Sequence, residues 1–403
     1  MYDRILLRYG ELSLKKDNRN KFVKLVNEHI QENLKDFKNL TFEKEYMRFF
    51  IVLNGEDPEK IIPLLKIIPG IHSFSLVKKC DVAIDAIKEL ALSFKDELIN
   101  KTIKVETNRA NKLFPMKSLE ISQEVARTLF RNISGLKADV HNPEVVMSID
   151  VRDNGAYIYT NSIEGFGGLP SKSLGKGLLL ISGGIDSVVA GIESIRRGVD
   201  VEAIHFASPP YTSMQSLQKV VDLLTKAAIY PKDHTINLYV VPFTNIQDAI
   251  YNHIRNDYCI TIMRRIMYKI SVEWAKHLGA KVLINGENLG QVASQTIESM
   301  AVINEVTNMP IIRPLVTLDK QDIIDKAIKY DTYDISILPY EDCCTIFVPK
   351  HPQIKPRMKE VEIQEAKFDF TDLINQAISN IQTIKLTKDS DFNVFSLDED
   401  LFD

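Results

Sequence analysis

Six consecutive residues, Ser182-Gly183-Gly184-Ile185-Asp186-Ser187, collect the groups needed to grip a phosphate. Leu180 and Ile181 close a short apolar run from Leu178 that reads as a buried strand. From Asp186 onward, Val188, Val189, Ile192 and Ile195 recur on one face, which reads as a helix. A strand, a glycine turn and a helix N-terminus make an anion site. Glycine lets the backbone approach the ligand, and unpaired N–H groups with the helix dipole favour negative charge. The hydroxyls of Ser182 and Ser187 can donate to phosphate oxygens. Ionised Asp186 only accepts, so it suits Mg2+ or the orientation of a nucleophile. The order is not the Walker pattern, and no G-x-G-x-x-G follows a strand. The plain alternative is an ordinary glycine turn in an α/β protein.

A second chemical candidate is the pair Cys343-Cys344 in YEDCCTIFVPKHP, a proline-bounded stretch that reads as a loop. Neighbouring cysteines are too close for an unstrained disulfide, so the readings are a reactive thiol or two buried apolar side chains. With Cys80 and Cys259 the chain has four cysteines, too few for a disulfide scaffold, which points to a reducing cytoplasm. No C-x-x-C pair occurs, which disfavours a metal cluster. Cations gather twice in the first half: Arg8, Lys15, Lys16, Arg19 and Lys21, then Arg109, Lys112 and Lys117 around Phe114. Such clusters are solvated basic faces or backbone contacts to RNA, and Phe114 is a core residue or a stacking platform. Net charge is −4, but residues 1–170 hold 26 Lys+Arg against 24 Asp+Glu, so any RNA contact belongs there. No apolar run reaches membrane-spanning length, and the N-terminus lacks a signal-peptide core.

The elements that must position these groups follow from periodicity. Residues 2–9 and 49–53 read as strands, and 20–34 and 58–68 as helices, a small α+β unit. Strands at 73–78 and 101–107, helices at 84–98 and 119–130, and a hairpin turning at Asp153-Asn154-Gly155 come next. Residues 164–177, EGFGGLPSKSLGKG, read as a linker. Beyond it strands (178–181, 201–206, 238–243, 281–285) alternate with helices (187–197, 214–228, 245–255, 260–277, 291–300). That alternation is the mark of a parallel sheet with helices on both faces, with ligand at the C-terminal ends of its strands. Residues from Asp389 on are acidic and read as a frayed tail.

SGGIDS resembles the PP-loop of the ATP pyrophosphatases, and the whole chain resembles the tRNA 4-thiouridine synthetase (tRNA sulfurtransferase) family, in the form without a rhodanese domain. RYGELSLK resembles its ferredoxin-like domain; PGIHSFS and VETNRANKLFPMKSLEISQEV resemble its THUMP domain; GKGLLLISGGIDS, NGENLGQVASQT, RPLVTLDKQDII and YEDCCTIFVPKHP follow in family order. The resemblance implies an α/β chain with a ferredoxin-like α+β domain (1–58), a THUMP RNA-binding domain (59–165), a linker (166–176), a doubly wound PP-loop domain (177–388) and an acidic tail (389–403). It implies ATP-dependent sulfur transfer to uridine eight of tRNA through an adenylated intermediate and a cysteine persulfide. The expected cofactors are ATP and Mg2+, and the expected partners tRNA and a cysteine desulfurase, with a dimer sharing one tRNA. Some relatives also serve thiamine thiazole biosynthesis. Family ATP contacts map to Leu180, Ile181, Ser182, Gly183, Gly184, Ser187, His205, Phe206, Arg264, Gly286 and Gln295. Asp186 would organise Mg2+, Lys320 would stabilise phosphate charge, Cys343 would carry sulfur and Cys344 would resolve the disulfide. Another PP-loop tRNA-modifying enzyme and a non-catalytic tRNA-binding protein are the alternative readings.

Overall fold

The computed structural model describes residues 2–15, 18–45, 48–340 and 352–396, in two compact units, Met1–Gly168 and Leu169–Asp403. In the first unit, β1 (Arg4–Arg8) is antiparallel to both β3 (Arg48–Val52) and β4 (Ser73–Cys80), and β2 (Thr41–Glu45) covers the outer edge of β3. Helix α1 (Arg19–Asn33) buries Phe22, Val26 and Ile30 at i, i+4 and i+8, the stripe that an amphipathic helix needs. Strand β2 has no counterpart in the periodicity because TFEKE is mostly charged; charge is how an exposed edge strand avoids further pairing. The end of β4 also pairs with β8 (Gly155–Tyr159), and the sheet continues through β7 (Val145–Arg152) and β5 (Thr102–Arg109). Helices α3 (Ile84–Leu92) and α5 (Ser118–Asn132) cover this half, with Ile87, Val125 and Leu129 in its core. The helix expected over 84–98 ends at Leu92 and resumes as a single turn, Lys95–Leu98. The Ser93 hydroxyl bonds the Leu90 carbonyl at 2.7 Å, and Phe94 turns inward.

The second unit is built on a six-stranded sheet. Its first strand, β10 (Lys176–Leu180), is flanked by β11 (Asp200–Ala207) on one side and β13 (Val282–Ile284) on the other, all parallel. β12 (Thr235–Pro242) extends the sheet beyond β11, and β14 (Ile311–Ile312) extends it beyond β13. Strand order therefore reverses at β10, which is the switch point where open α/β sheets hold ligands. The edge strand β15 (Gln382–Thr387) is antiparallel to β12, an addition that strand–helix alternation does not announce. Helices α6 (Ile185–Arg196), α7 (Met214–Ala227) and α9 (Cys259–His277) pack on the sheet and are buried along most of their length. The helix expected over 291–300 instead begins at Ile297: Thr296 Oγ1 accepts the Ser299 N–H at 3.1 Å, a cap that fixes the start. The acidic tail is not frayed at its beginning. Val394 is fully buried, and Gln218 of α7 binds the Phe392 carbonyl and the Val394 N–H, each at 2.9 Å.

Candidate nucleotide site and a cation-lined cavity

The loop after β10 is preformed by its own serines. Ser187 Oγ donates to the Ser182 carbonyl at 2.9 Å and accepts the Ser182 N–H at 3.2 Å, so this hydroxyl shapes the loop. Ser182 Oγ accepts the Gly184 N–H at 3.3 Å. Gly184 is the N-cap of α6, and Asp186 stands in its first turn. Asp186 Oδ1 pairs with Lys320 Nζ at 2.7 Å, and Oδ2 accepts from Gln291 Nε2 at 2.9 Å. Lys320 is the first residue of α11 (Lys320–Lys329) and remains 43 % exposed. An ion pair that exposed contributes at most about 1 kcal/mol to stability, so its presence at the loop mouth needs another reason. Gly286, just past β13, closes the other side. A Cβ there would come within 2.6–2.7 Å of the Asp186 and Ser187 backbone, so only glycine permits this approach.

Behind Gly286 lies a buried network. Glu287, 1 % exposed, takes Arg264 of α9 on Oε1 and Arg313 on Oε2, the latter at 2.6 Å, while Asn285 Nδ2 reaches Oε2 at 3.0 Å. Burial alone would raise the Glu287 pKa, but the two guanidiniums outweigh it and hold the carboxyl below the usual range. Burial, with the Glu287 charge beside it, pushes Tyr268 up to about 12. Two arginines against one carboxylate leave a positive wall. Asn288 Nδ2 donates to the Leu315 and Leu318 carbonyls at 2.9 and 2.6 Å, holding the loop that leads into α11 and Lys320. Together these residues enclose a cavity of about 280 Å³, with Leu180, Phe206 and Met267 supplying apolar wall and Arg264, Gln295 and Asp186 polar wall. His205 is buried in the same wall, with Nδ1 3.0 Å from the Ile181 carbonyl.

The first unit holds a larger cavity of about 610 Å³ lined by Arg8, Arg19, Lys44, Arg48 and His72, with Glu45 among them. The Arg8 guanidinium donates to Ser75 Oγ at 3.0 Å and lies 4.8 Å from the centre of the Tyr159 ring. Burial, opposed by Asp150 and reinforced by the like charges of Arg152 and Arg8, lowers the Arg48 pKa. Cations crowded in this way favour an anion among them.

Residues 4–75 match the ThiI ferredoxin-like domain, residues 82–161 the THUMP domain, and residues 172–370 the family described as thiamine biosynthesis protein (ThiI). A probable tRNA sulfurtransferase of Geobacillus sp. (strain WCH70) is 47% identical over 391 residues, 96% of this chain and 97% of the relative. The probable tRNA sulfurtransferase of Listeria welshimeri is 44% identical over 403 residues, the full length of both. The chain belongs to the ThiI family. A solved 4-thiouridine synthetase–RNA complex with bound ATP shares 33% identity and superposes with a TM-score of 0.84, covering 96% of this ThiI chain and all of that one.

Of the residues that the family pattern marks in this ThiI chain, Leu180, Ile181, Ser182, Ser187, His205, Phe206, Arg264, Gly286 and Gln295 converge on the one cavity, and Gly183 and Gly184 form its loop. Sequence reasoning missed Tyr268, Asn285, Glu287 and Arg313; the one signal was an acid between two amides in NGEN at a strand end. Arg109 is engaged within its own loop. Its guanidinium donates to the Phe114 and Met116 carbonyls at 2.9 and 3.3 Å, and so shapes the loop that carries Lys112 and Lys117. Lys112 and Lys117 are exposed, and Phe114, at 6 % exposure, is core. Lys15 is exposed near Arg8 and Arg19 in sequence; Lys44 and Arg48 from β2 and β3, and His72 just before β4, line the cavity with Arg8 and Arg19 and were not anticipated. Lys16, Cys343 and Cys344 lie outside the described residues. Burial pushes the other two thiols, Cys80 and Cys259, up to about 11, which suppresses thiolate.

Proposed function

We propose that this chain is an ATP-dependent tRNA sulfurtransferase that converts uridine eight of tRNA to 4-thiouridine. The observation that carries this is the Asp186–Lys320 pair at the mouth of the Ser182–Ser187 loop, at the sheet's switch point, in a chain of which 96% is matched by an ATP- and RNA-bound homologue. ATP sits in the 280 Å³ cavity, with its phosphates toward the loop N–H groups and the α6 N-terminus. The uridine C4 oxygen attacks the α-phosphorus and pyrophosphate leaves. Lys320 stabilises charge that grows on the phosphate, a preorganised cation in a partly dry site. A persulfide on Cys343, loaded by a cysteine desulfurase, then attacks C4 through its terminal sulfur and AMP leaves with the oxygen. Attack by Cys344 on Cys343 Sγ frees the thiocarbonyl and leaves a Cys343–Cys344 disulfide, which a dithiol reductant returns to two thiols. The residues fit Mg2+ only as an ion brought by ATP: among the described residues no three His, Cys, Asp or Glu converge, so Asp186 would add one carboxylate to phosphate ligands and the ion would neutralise their charge.

The cavity lined by Arg8, Arg19, Lys44 and Arg48, with exposed Lys15, Lys112 and Lys117, is the proposed surface for tRNA phosphates. A cytoplasmic location supplies the tRNA and the reducing thiols; among the described residues no helix is long and apolar enough to cross a membrane. Two copies sharing one tRNA is the assembly that the family suggests. The test is incubation of the full chain with unmodified tRNA, ATP, cysteine, a desulfurase and reductant. We expect AMP and 4-thiouridine in the nucleoside digest. Binding of tRNA without AMP release would mark a non-catalytic binder, and sulfur at another base position would mark a different PP-loop enzyme.

A further inference from the structure

Lys219 is out of character with its surroundings. α7 turns Leu217, Val220, Val221, Leu223 and Leu224 inward, and Lys219 lies among them at 5 % exposure. A methionine would fill similar space without removing an ammonium from water, which costs several kcal/mol per ion. Proteins break local rules of this kind mainly at functional sites.

The side chain meets two pieces of the nucleotide unit. Its stem lies against Gly183: a Cβ built there would meet Lys219 Cδ at 3.0 Å, Cε at 3.3 Å and Nζ at 3.5 Å. Gly183 has no left-handed φ, so the glycine answers a need for space. Nζ donates to the Leu338 carbonyl at 2.8 Å. Leu338 follows α12 (Tyr333–Ser336), and α7 packs against both α6 and α12. In sequence, four residues separate Leu338 from Cys343. Ser182, Asp186 and Ser187 are the loop's share of the cavity wall, and Lys219 lies against Gly183 of the same loop.

We propose that Lys219 is a positioning residue that ties the phosphate loop to the segment leading to Cys343, keeping the activated uridine and the incoming sulfur in register. This rests on the sulfurtransferase reading above. One side chain braces the floor of the loop with its stem and anchors a carbonyl of the other segment with its charge. Without that tie, the adenylated uridine forms but waits longer for sulfur. Water then adds to C4, the bond to the AMP-bearing oxygen breaks, and AMP leaves with uridine restored. The signature is AMP made without 4-thiouridine.

The experiment compares full-length wild type, Lys219→Met and Lys219→Arg with tRNA, ATP, cysteine, desulfurase and reductant, scoring AMP and 4-thiouridine in the same tube. For Lys219→Met we expect thiolation to fall about tenfold while the ATP KM moves by less than about threefold, a split that marks lost organisation after binding. AMP per 4-thiouridine should rise from about one to about three or more, and Lys219→Arg should recover part of both, because it keeps the charge and the donor. If Lys219→Met does not fold, Lys219→Gln, a shorter neutral donor, should show the same raised ratio. A lower melting temperature with wild-type ratio and rate in either variant means a packing residue and overturns the inference. Wild type that yields neither AMP nor 4-thiouridine overturns the underlying reading instead.

Discussion

The two cavities differ in how their charges are used. At the nucleotide cavity the polar groups are held by one another: Glu287 by Arg264 and Arg313, Asp186 by Lys320 and Gln291, Ser187 by the loop itself. The cavity is small, about 280 Å³. In the first unit the cavity is twice as large, about 610 Å³, and Arg8, Arg19, Lys44, Arg48 and His72 crowd it with Glu45 as the acid among its lining. Reaction at one phosphorus atom needs fixed donors, whereas holding a polyanion needs surplus charge. The contrast is between a cavity whose charged groups meet one another across it and one whose lining carries four cations, Arg8, Arg19, Lys44 and Arg48, to one acid, Glu45.

Breaking the paired side should have the largest effects. Asp186→Ala removes the carboxylate that fixes Lys320 at the loop; tRNA-dependent AMP release should drop by about 10³-fold or more with melting barely changed. Full activity in a folded Asp186→Ala chain would remove this residue from the chemistry. Glu287→Gln comes next. It takes the charged partner from two half-buried guanidiniums, and denaturant titration should report a loss of about 3 kcal/mol. The pH dependence follows from the same pair. A carboxyl held low contributes stability that is complete above the ordinary Glu value near 4.3 and is lost as pH falls through its lower folded value. The wild-type melting temperature should therefore decline in acid more steeply than that of Glu287→Gln; parallel acid limbs would mean that the pair carries no such linkage.

On the other side of the comparison, Arg8→Ala and Arg48→Ala should each weaken tRNA binding by about tenfold and flatten the salt dependence by about one phosphate contact, leaving the ATP KM unchanged. An unaltered salt slope would show that this cavity does not meet the backbone. The smallest effect belongs to Ser187→Ala, which unpins the loop at a cost of about 1 kcal/mol and should raise the ATP KM several-fold. A loop that keeps its affinity without this hydroxyl would be shaped by its glycines alone.

The phosphate loop was legible because strand, turn, helix and side chains are contiguous from Leu178 to Ser187. The parallel core was legible from alternation, since β10, β11, β12 and β13 each precede a helical pattern. Glu287 was not, because its partners arrive from α9 and from Arg313, and no local period records a meeting of distant segments. Lys44, Arg48 and His72 were hidden for the same reason. The loop-shaping bonds of Arg109 were not legible because a run of cations does not reveal which guanidinium the neighbouring carbonyls will take. The antiparallel β15 was missed because an edge strand of mixed polarity, QTIKLT, carries neither a buried run nor a turn signal.

That edge strand bears on how the chain is made. β12 and the strand that closes its outer side are separated by residues 243–381, so β12 leaves the ribosome long before its partner exists. At about 5–20 residues per second the gap lasts on the order of ten seconds. Through that interval an apolar strand, Leu238-Tyr239-Val240-Val241, offers an unpaired row of N–H and C=O groups to any nascent neighbour. The first unit, whose strands all lie within residues 4–164, can complete its sheet meanwhile. Vectorial synthesis therefore leaves the catalytic half as the one in need of chaperoning, until its last strand seals the sheet.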